Sequence, residues 1–316
     1  MKLDRLTRRR LFVCAAALCA SLALIAAALL LGRARSPADA VAVRRSPHPL
    51  TQEELSGAAT PEPAPGPTHG PEAPDGIGRR PDAALQKLLD EGCPAENGTW
   101  DLLVYCPDDG RFAARSDGGD SPSVSASLIK LFVMGAVFER FGEPDAALAV
   151  EVRDMIALSD NEAANRLIRL LGDGDDEAGM DAVNAFADSL GCRSTRLRRL
   201  MLVENGLQNT TSADDCALLL EALYRRKLVS PEASEAMLAL LEAQTVNDRI
   251  PALLPPDTVC AHKTGDLTGL CCGDVGLVRA PGATYIFCAI CGEPASLSKA
   301  ASDIAALSLA VYEELS

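Results

Sequence analysis

Strand-like segments at both ends of a long helical stretch constrain this chain more than any other feature of its sequence. Two lie early, at residues 99–106 and 111–115, with Pro107-Asp108-Asp109-Gly110 as the turn between them. Three lie late, at 258–263, 273–279 and 284–291, and Pro281-Gly282 turns between the last two. The intervening 127–245 read as helical. Buried backbone groups must be paired, so the early and late strands are expected to meet in one antiparallel sheet. A short amphipathic helix at 82–90 and a final one at 296–314, with Ile304, Leu307, Leu309 and Val311 on its apolar face, then cover one side of it. The expected class is α+β: an antiparallel sheet flanked by terminal helices, plus an all-helical subdomain.

The residues before this stretch have a different composition. Residues 11–31 (LFVCAAALCASLALIAAALLL) carry no charge and are long enough to span a bilayer core as a helix. Arg8, Arg9 and Arg10 precede them and favour a cytoplasmic N-terminus. The expected plan is a basic tail at 1–10, a signal-anchor helix at 11–31, a linker at 32–80 and a globular domain at 81–316, held outside the cell membrane. Secretion after signal cleavage is the alternative, with Ala38-Asp39-Ala40 as a cleavage site. Ten of the chain's 20 prolines fall between Pro37 and Pro81, a pattern of extended, semi-rigid chain. Residues 1–45 hold nine basic and two acidic residues in a chain of net charge −14, so the body is strongly acidic. An acidic body repels phosphate backbones, and nucleic acid is excluded as a partner. A monomer is expected.

Of the eleven cysteines, nine lie outside the apolar run. Cys288-x-x-Cys291 could pair with Cys271-Cys272 in a zinc site, but Cys271 and Cys272 are adjacent rather than a second C-x2-C pair, and both sets fall in strand-like apolar runs, where they read as small packed hydrophobes. No metal and no cofactor is expected.

Ser127-x-x-Lys130 places a hydroxyl and an amine on one face at a helix start, inside the apolar run Leu128, Ile129, Leu131 and Phe132. Desolvation favours a neutral lysine that can take the serine proton. The plain alternative is a helix cap with a solvated lysine, which is how Ser296-x-x-Lys299 reads. Two further triplets weigh against that alternative for Ser127. Ser159-Asp160-Asn161 lies between helical runs, and Lys263-Thr264-Gly265 closes a strand-like segment.

Together, in this order, the three motifs resemble the signature of class A β-lactamases and penicillin-binding proteins. The resemblance runs from about residue 81 to the end, through SASLIKLFVMGAVFER, MIALSDNEAANRLI and NTTSADDCALLLEAL. It implies a β-lactamase/transpeptidase-like fold with Ser127 as a nucleophile that forms an acyl-enzyme and Lys130 as its activator. Ser159 would relay protons to the leaving nitrogen, Asn161 would hold the substrate amide side chain, and Lys263 would supply positive potential. Thr264 would bind the substrate carboxylate beside Gly265. The backbone N–H groups of Ser127 and Asp266 would form the oxyanion hole.

The chain departs from the family's pattern twice. The E-x-x-L-N loop, whose Glu activates the deacylating water, has no match: counting from Arg198 and Arg199, that Glu falls near Met201. Glu204 is a stand-in base or a solvated surface residue. Only 32 residues separate Ser127 from Ser159, about half the separation usual in the family, which implies a more open cleft. Three functions follow: a membrane-tethered β-lactamase-type serine hydrolase, foremost; a D,D-peptidase on peptidoglycan peptides that deacylates slowly; or a sensor module that is acylated and holds its ligand.

Overall fold

A computed structural model describes residues 78–204 and 206–316 of the chain; the basic tail, the apolar run at 11–31 and nearly all of the linker lie outside the described residues. Among the described residues no helix is long and apolar enough to cross a membrane.

The elements are β1 (Arg80–Pro81), α1 (Ala83–Gly92), β2 (Thr99–Tyr105), β3 (Arg111–Ser116), β4 (Ser123–Val124), a 3-10 turn (Ala126–Ile129), α2 (Lys130–Phe141), α3 (Ala146–Ala157), α4 (Asn161–Leu171), α5 (Asp176–Ser189), β5 (Thr210–Thr211), α6 (Ala213–Tyr224), α7 (Pro231–Glu242), β6 (Val259–Leu267), β7 (Cys271–Ala280), β8 (Ala283–Gly292) and α8 (Leu297–Leu315). A second 3-10 turn precedes β2. The main sheet runs β1-β3-β2-β8-β7-β6, so the early and late strands meet where β2 pairs antiparallel with β8. The short β1 lies parallel to β3, which makes the sheet mixed rather than wholly antiparallel.

Period-two alternation splits each central strand between two cores. On β8, Tyr285, Phe287, Ala289 and Cys291 face one core together with Leu85 and Leu89 of α1 and Ile304, Leu307 and Val311 of α8. Ile286, Cys288 and Ile290 face the other, built from α2 to α7. The two terminal helices therefore share one face of the sheet, as expected; Leu309 lies at the margin of the α8 face and is half-buried. Asp82 caps α1, accepting from the N–H groups of Ala84 and Leu85.

α2 is buried on every side from Lys130 to Phe138, the mark of a helix at the centre of a bundle. Its N-terminus abuts β6 at the junction of the sheet and the helical subdomain, and the candidate site forms there.

The Lys263-Thr264-Gly265 triplet does not close its strand. β6 continues to Leu267, paired with β7 down to Cys271. Gly-Asp reads locally as a turn, but pairing along β7 overrides that preference. Eight of the nine cysteines in the described residues are buried, Cys260 is half-buried, and all nine are free thiols. Burial pushes the thiols of Cys93, Cys216 and Cys291 up to about 12, so they are not nucleophiles at neutral pH.

Candidate active site

The turn before α2 is fixed from outside. Ser125 N–H donates to the carbonyl of Asn209 at 2.8 Å, and Leu128 N–H donates to the carbonyl of Ser125 at 2.9 Å. Ala126 takes φ of +43°, a strained conformation for a residue with a Cβ. It presents Ser127 half-buried at the surface of the turn. α2 has no side-chain cap, and among the described residues the Ser127 hydroxyl makes no hydrogen bond, so it is not a capping serine. Ser296 is one: it accepts from Lys299 N–H at 3.1 Å, and the Lys299 side chain is exposed and pairs with Asp303.

Lys130 opens α2, completely buried. Its Nζ donates to the Ser159 carbonyl at 2.7 Å, to Asn161 Oδ1 at 2.8 Å and to Ser159 Oγ at 3.3 Å. Lys263, equally buried, donates from Nζ to Ser159 Oγ at 2.9 Å and to the Thr264 carbonyl at 2.8 Å. The Ser159 hydroxyl thus lies between two amines. Ser159 itself takes φ of +56°, a second strained residue at the same place. In this triplet only Asp160 acts as a helix cap, accepting from Ala163 N–H at 2.6 Å.

Burial lowers both lysines from their ordinary range, with the nearby Asp160 carboxylate opposing the shift at Lys130. Lys130 falls to about 8. Lys263 falls to about 7, where the charge of Lys130 adds to the effect of burial. Each is a partly neutral amine near physiological pH, able to accept or give a proton.

A cavity of about 200 Å³ opens beside them, lined by Ser127, Asn161, Asp266 and Leu267 on one side and Arg199, Met201, Leu202, Glu204 and Gln208 on the other. Seven of the nine sequence-predicted residues converge in two connected groups, and the Thr264 side chain and Gly265 belong to neither. Lys130, Ser159, Asn161 and Lys263 share hydrogen bonds, while Ser127, Asn161, Glu204 and Asp266 share the cavity wall. Thr264 is buried in β6 between Lys263 and Gly265. Gly265 is required sterically: a Cβ there would lie 3.0 Å from the Ser125 carbonyl and 3.1 Å from Leu128 N, so β6 could not press against the turn of Ser127. A larger hollow of about 670 Å³ lies elsewhere, lined by Arg226, Glu235, Glu242 and Arg279 among others. Two of its arginines already pair with two of its carboxylates, Arg226 with Glu235 at 2.6 Å and Arg279 with Glu242 at 2.5 Å.

Several residues that hold the site have no motif to announce them. Buried Asn165 binds Met201 through both backbone groups, accepting from its N–H at 2.7 Å and donating to its carbonyl at 3.1 Å. Asn165 lies one helical turn beyond Asn161 on α4, and that spacing was the available signal. Buried Asn209 fastens the same loop, accepting from Arg198 and Arg199 N–H at 2.8 and 3.0 Å. Arg249, 3% exposed, donates to Asp266 Oδ1 at 2.7 Å. Glu204 is exposed.

A sheet between terminal helices and a helical subdomain, with two buried lysines around a serine at their junction, defines a class A β-lactamase-like protein. The beta-lactamase enzyme family matches residues 146–315, more than half of the chain, and the chain belongs to that family. No curated protein matches the sequence. Among solved structures the chain is similar to PBP-A, at 25% identity and TM-score 0.67 over 76% of this chain and 98% of that one. A PBP-A mutant is described as an acyl-enzyme complex with penicillin G. The chain is also similar to a β-lactamase from Sphaerobacter thermophilus, at 27% identity and TM-score 0.64 over 74% of this chain and 97% of that one. A class A β-lactamase from Bacteroides cellulosilyticus shares the fold, at 20% identity and TM-score 0.63 over 74% and 99% of the two chains. Family membership makes the protein's chemistry that of a hydrolase of amide bonds.

Proposed function

We propose that this protein is a serine acyl-transfer enzyme, acylated at Ser127 by β-lactams or by D-alanyl peptides of the cell wall, that releases its acyl group slowly. In this reading Ser127 Oγ attacks the amide carbon and its proton passes to neutral Lys130. The oxyanion is met by the backbone N–H groups of Ser127 and Asp266. The C–N bond then breaks, and the leaving nitrogen takes a proton from Ser159, which recovers one from the newly charged Lys130 3.3 Å away, while Lys263 contributes positive potential. Asn161 and Thr264 hold the substrate's amide and carboxylate.

The single observation that carries the slow-release reading is Met201. It lines the cavity with Ser127 and is tied at both backbone groups by Asn165, and counting from Arg198 and Arg199 puts the family's deacylating Glu near it. General-base assistance is worth about 10²–10⁴-fold, so its loss leaves acylation fast and hydrolysis slow. Glu204 supports a second reading, full β-lactamase turnover, because it lines the same cavity.

Residues 11–31 support export and a membrane tether. Incubation with penicillin, followed by intact mass and free drug, tests the proposal. A persistent adduct at one equivalent supports it. Drug consumed far beyond one equivalent favours the Glu204 reading, and absence of any adduct defeats both. D-alanine release from a pentapeptide then separates a peptidase from a sensor.

A further inference from the structure

A second polar group lies on the opposite face of β6 from Lys263 and takes no part in the proposed proton transfers. His262 alternates with Lys263, so its side chain points the other way. There its Nδ1 lies 2.9 and 3.0 Å from the two carboxylate oxygens of Asp274 on β7. Its Nε2 lies 3.0 Å from Asn247 Oδ1. The ring has room because its cross-strand partner is Gly276, where a Cβ would come 2.6 Å from His262 Cβ. Asp274 also accepts from Ile250 N–H at 3.1 Å, and Ser308 of α8 donates to the Ile250 carbonyl at 2.9 Å.

The segment from Asn247 to Ile250 is therefore held at three points, and the two groups that hold its inner side, His262 and Asp274, are 2% and 0% exposed. Arg249 sits between those points. Its guanidinium lies 3.7 Å from the Asp248 carboxylate and donates from Nη2 to Asp266 Oδ1 at 2.7 Å. Asp266 is substantially exposed, and an ion pair between two mobile surface chains would do little. Here the guanidinium is buried, its Nε and Nη1 have no hydrogen-bond partner among the described residues, and its backbone belongs to the held segment, so the pair ties Asp266 to that segment. Asp266 follows Gly265, whose backbone packs against the turn that carries Ser127.

We infer that His262 and Asp274 are positioning residues of the acyl-transfer site: through the 247–250 segment and Arg249 they brace Asp266, and with it the backbone N–H that meets the oxyanion. The inference rests on the proposed role of Asp266. A donor that stabilises a transition state must be held in place by its surroundings. A displaced donor slows bond formation and leaves ground-state binding intact, and this separates a brace from an arginine that binds substrate.

The test uses the full-length protein and two variants. His262→Gln keeps a hydrogen-bonding group against Asp274, and Asp266→Ala removes only the exposed end of the brace. With penicillin, the first-order acylation constant is expected to fall roughly 10- to 100-fold in both. The dissociation constant of the non-covalent complex is expected to stay within about twofold. An unchanged acylation constant in either folded variant overturns the inference, as does a loss carried by the dissociation constant. Backbone amide NMR reads the brace without substrate. In His262→Gln the Asp266 amide resonance is expected to shift, and the Ile250 amide, which donates to Asp274, is expected to exchange at least about tenfold faster. Resonances and exchange at wild-type values overturn the brace. If the wild-type protein took up no penicillin, the proposed function would fail, and the amide measurements would still decide the brace.

Discussion

Replacing Met201 by Glu gives this protein the group its slow-release reading says it lacks. Met201 is 6% exposed and lines the cavity with Ser127. Its N–H and carbonyl are both bound by the Asn165 amide, so the substitution changes the end of a side chain and leaves the backbone where it is. The two side chains are similar in length, and the new carboxylate falls among Arg199, Gln208 and Asn209, which line the same wall. Partial desolvation raises such a carboxyl from its ordinary value of about 4.3 but leaves it ionised at neutral pH beside a guanidinium. A positioned base accelerates water attack by about 10²–10⁴-fold, or roughly 3–5 kcal/mol at about 1.36 kcal/mol per tenfold. The stability cost of a buried carboxylate short of partners is at least about 1–3 kcal/mol, the figure for a neutral polar group, so the variant is expected to be less stable and its cooperative unfolding is checked first. The assay loads the protein with one equivalent of penicillin, removes free drug and follows intact mass. The wild-type adduct persists, and the Met201→Glu adduct decays at least about 100-fold faster. An unchanged lifetime in a variant that unfolds cooperatively would refute the idea that a missing base limits release.

The remaining predictions address other parts of the site. Glu204 is exposed, so Glu204→Gln leaves the adduct lifetime within about twofold; a large extension restores Glu204 as the base. Acylation needs neutral Lys130, so its rate rises as pH rises through about 8. Asp160 holds that value up, and Asp160→Asn, which keeps the helix cap, moves the limb to lower pH; a limb that stays put or moves up contradicts the assignment. Lys263 is held near about 7 in the folded protein against about 10.4 when unfolded. The folded state thus binds fewer protons between those values, and its penalty is present at pH 7 and fades toward pH 10. Urea unfolding should show Lys263→Met more stable than wild type at pH 7, on the order of a few kcal/mol, with the gap closing as pH rises. Ser296→Ala loses a helix cap worth about 1 kcal/mol and leaves acylation untouched; a loss of adduct would assign that serine a part in the reaction.

The parts of this fold that local chemistry determines could be read from the chain. Strand-like apolar runs bounded by turn residues and the apolar face of α8 placed the sheet and its covering helices, because a strand buried on both faces reads as a continuous apolar run and a half-buried helix as a periodic one. Ser127, Lys130, Ser159, Asn161 and Lys263 could be singled out only together: each motif alone reads as a cap or a turn, and their occurrence in one order carries the resemblance. Arg249 could not, since nothing near it in sequence shows that Asp266, 17 residues later, is its partner. Asn209 reads as a loop residue until the backbone of Arg198 and Arg199 folds onto it. The end of β6 was misplaced for the same reason: only its pairing with β7 shows that Gly265 and Asp266 are strand. What escaped the sequence is tertiary pairing, and it is also what holds the cleft open beside Ser127.

The most direct measurement is to digest the penicillin-treated protein and locate the added mass by fragmentation. One acyl group on the Ser127 hydroxyl, absent when Ser127 is replaced by Ala, is the expected result. An acyl group on any other side chain, or an adduct that survives Ser127→Ala, would contradict the account.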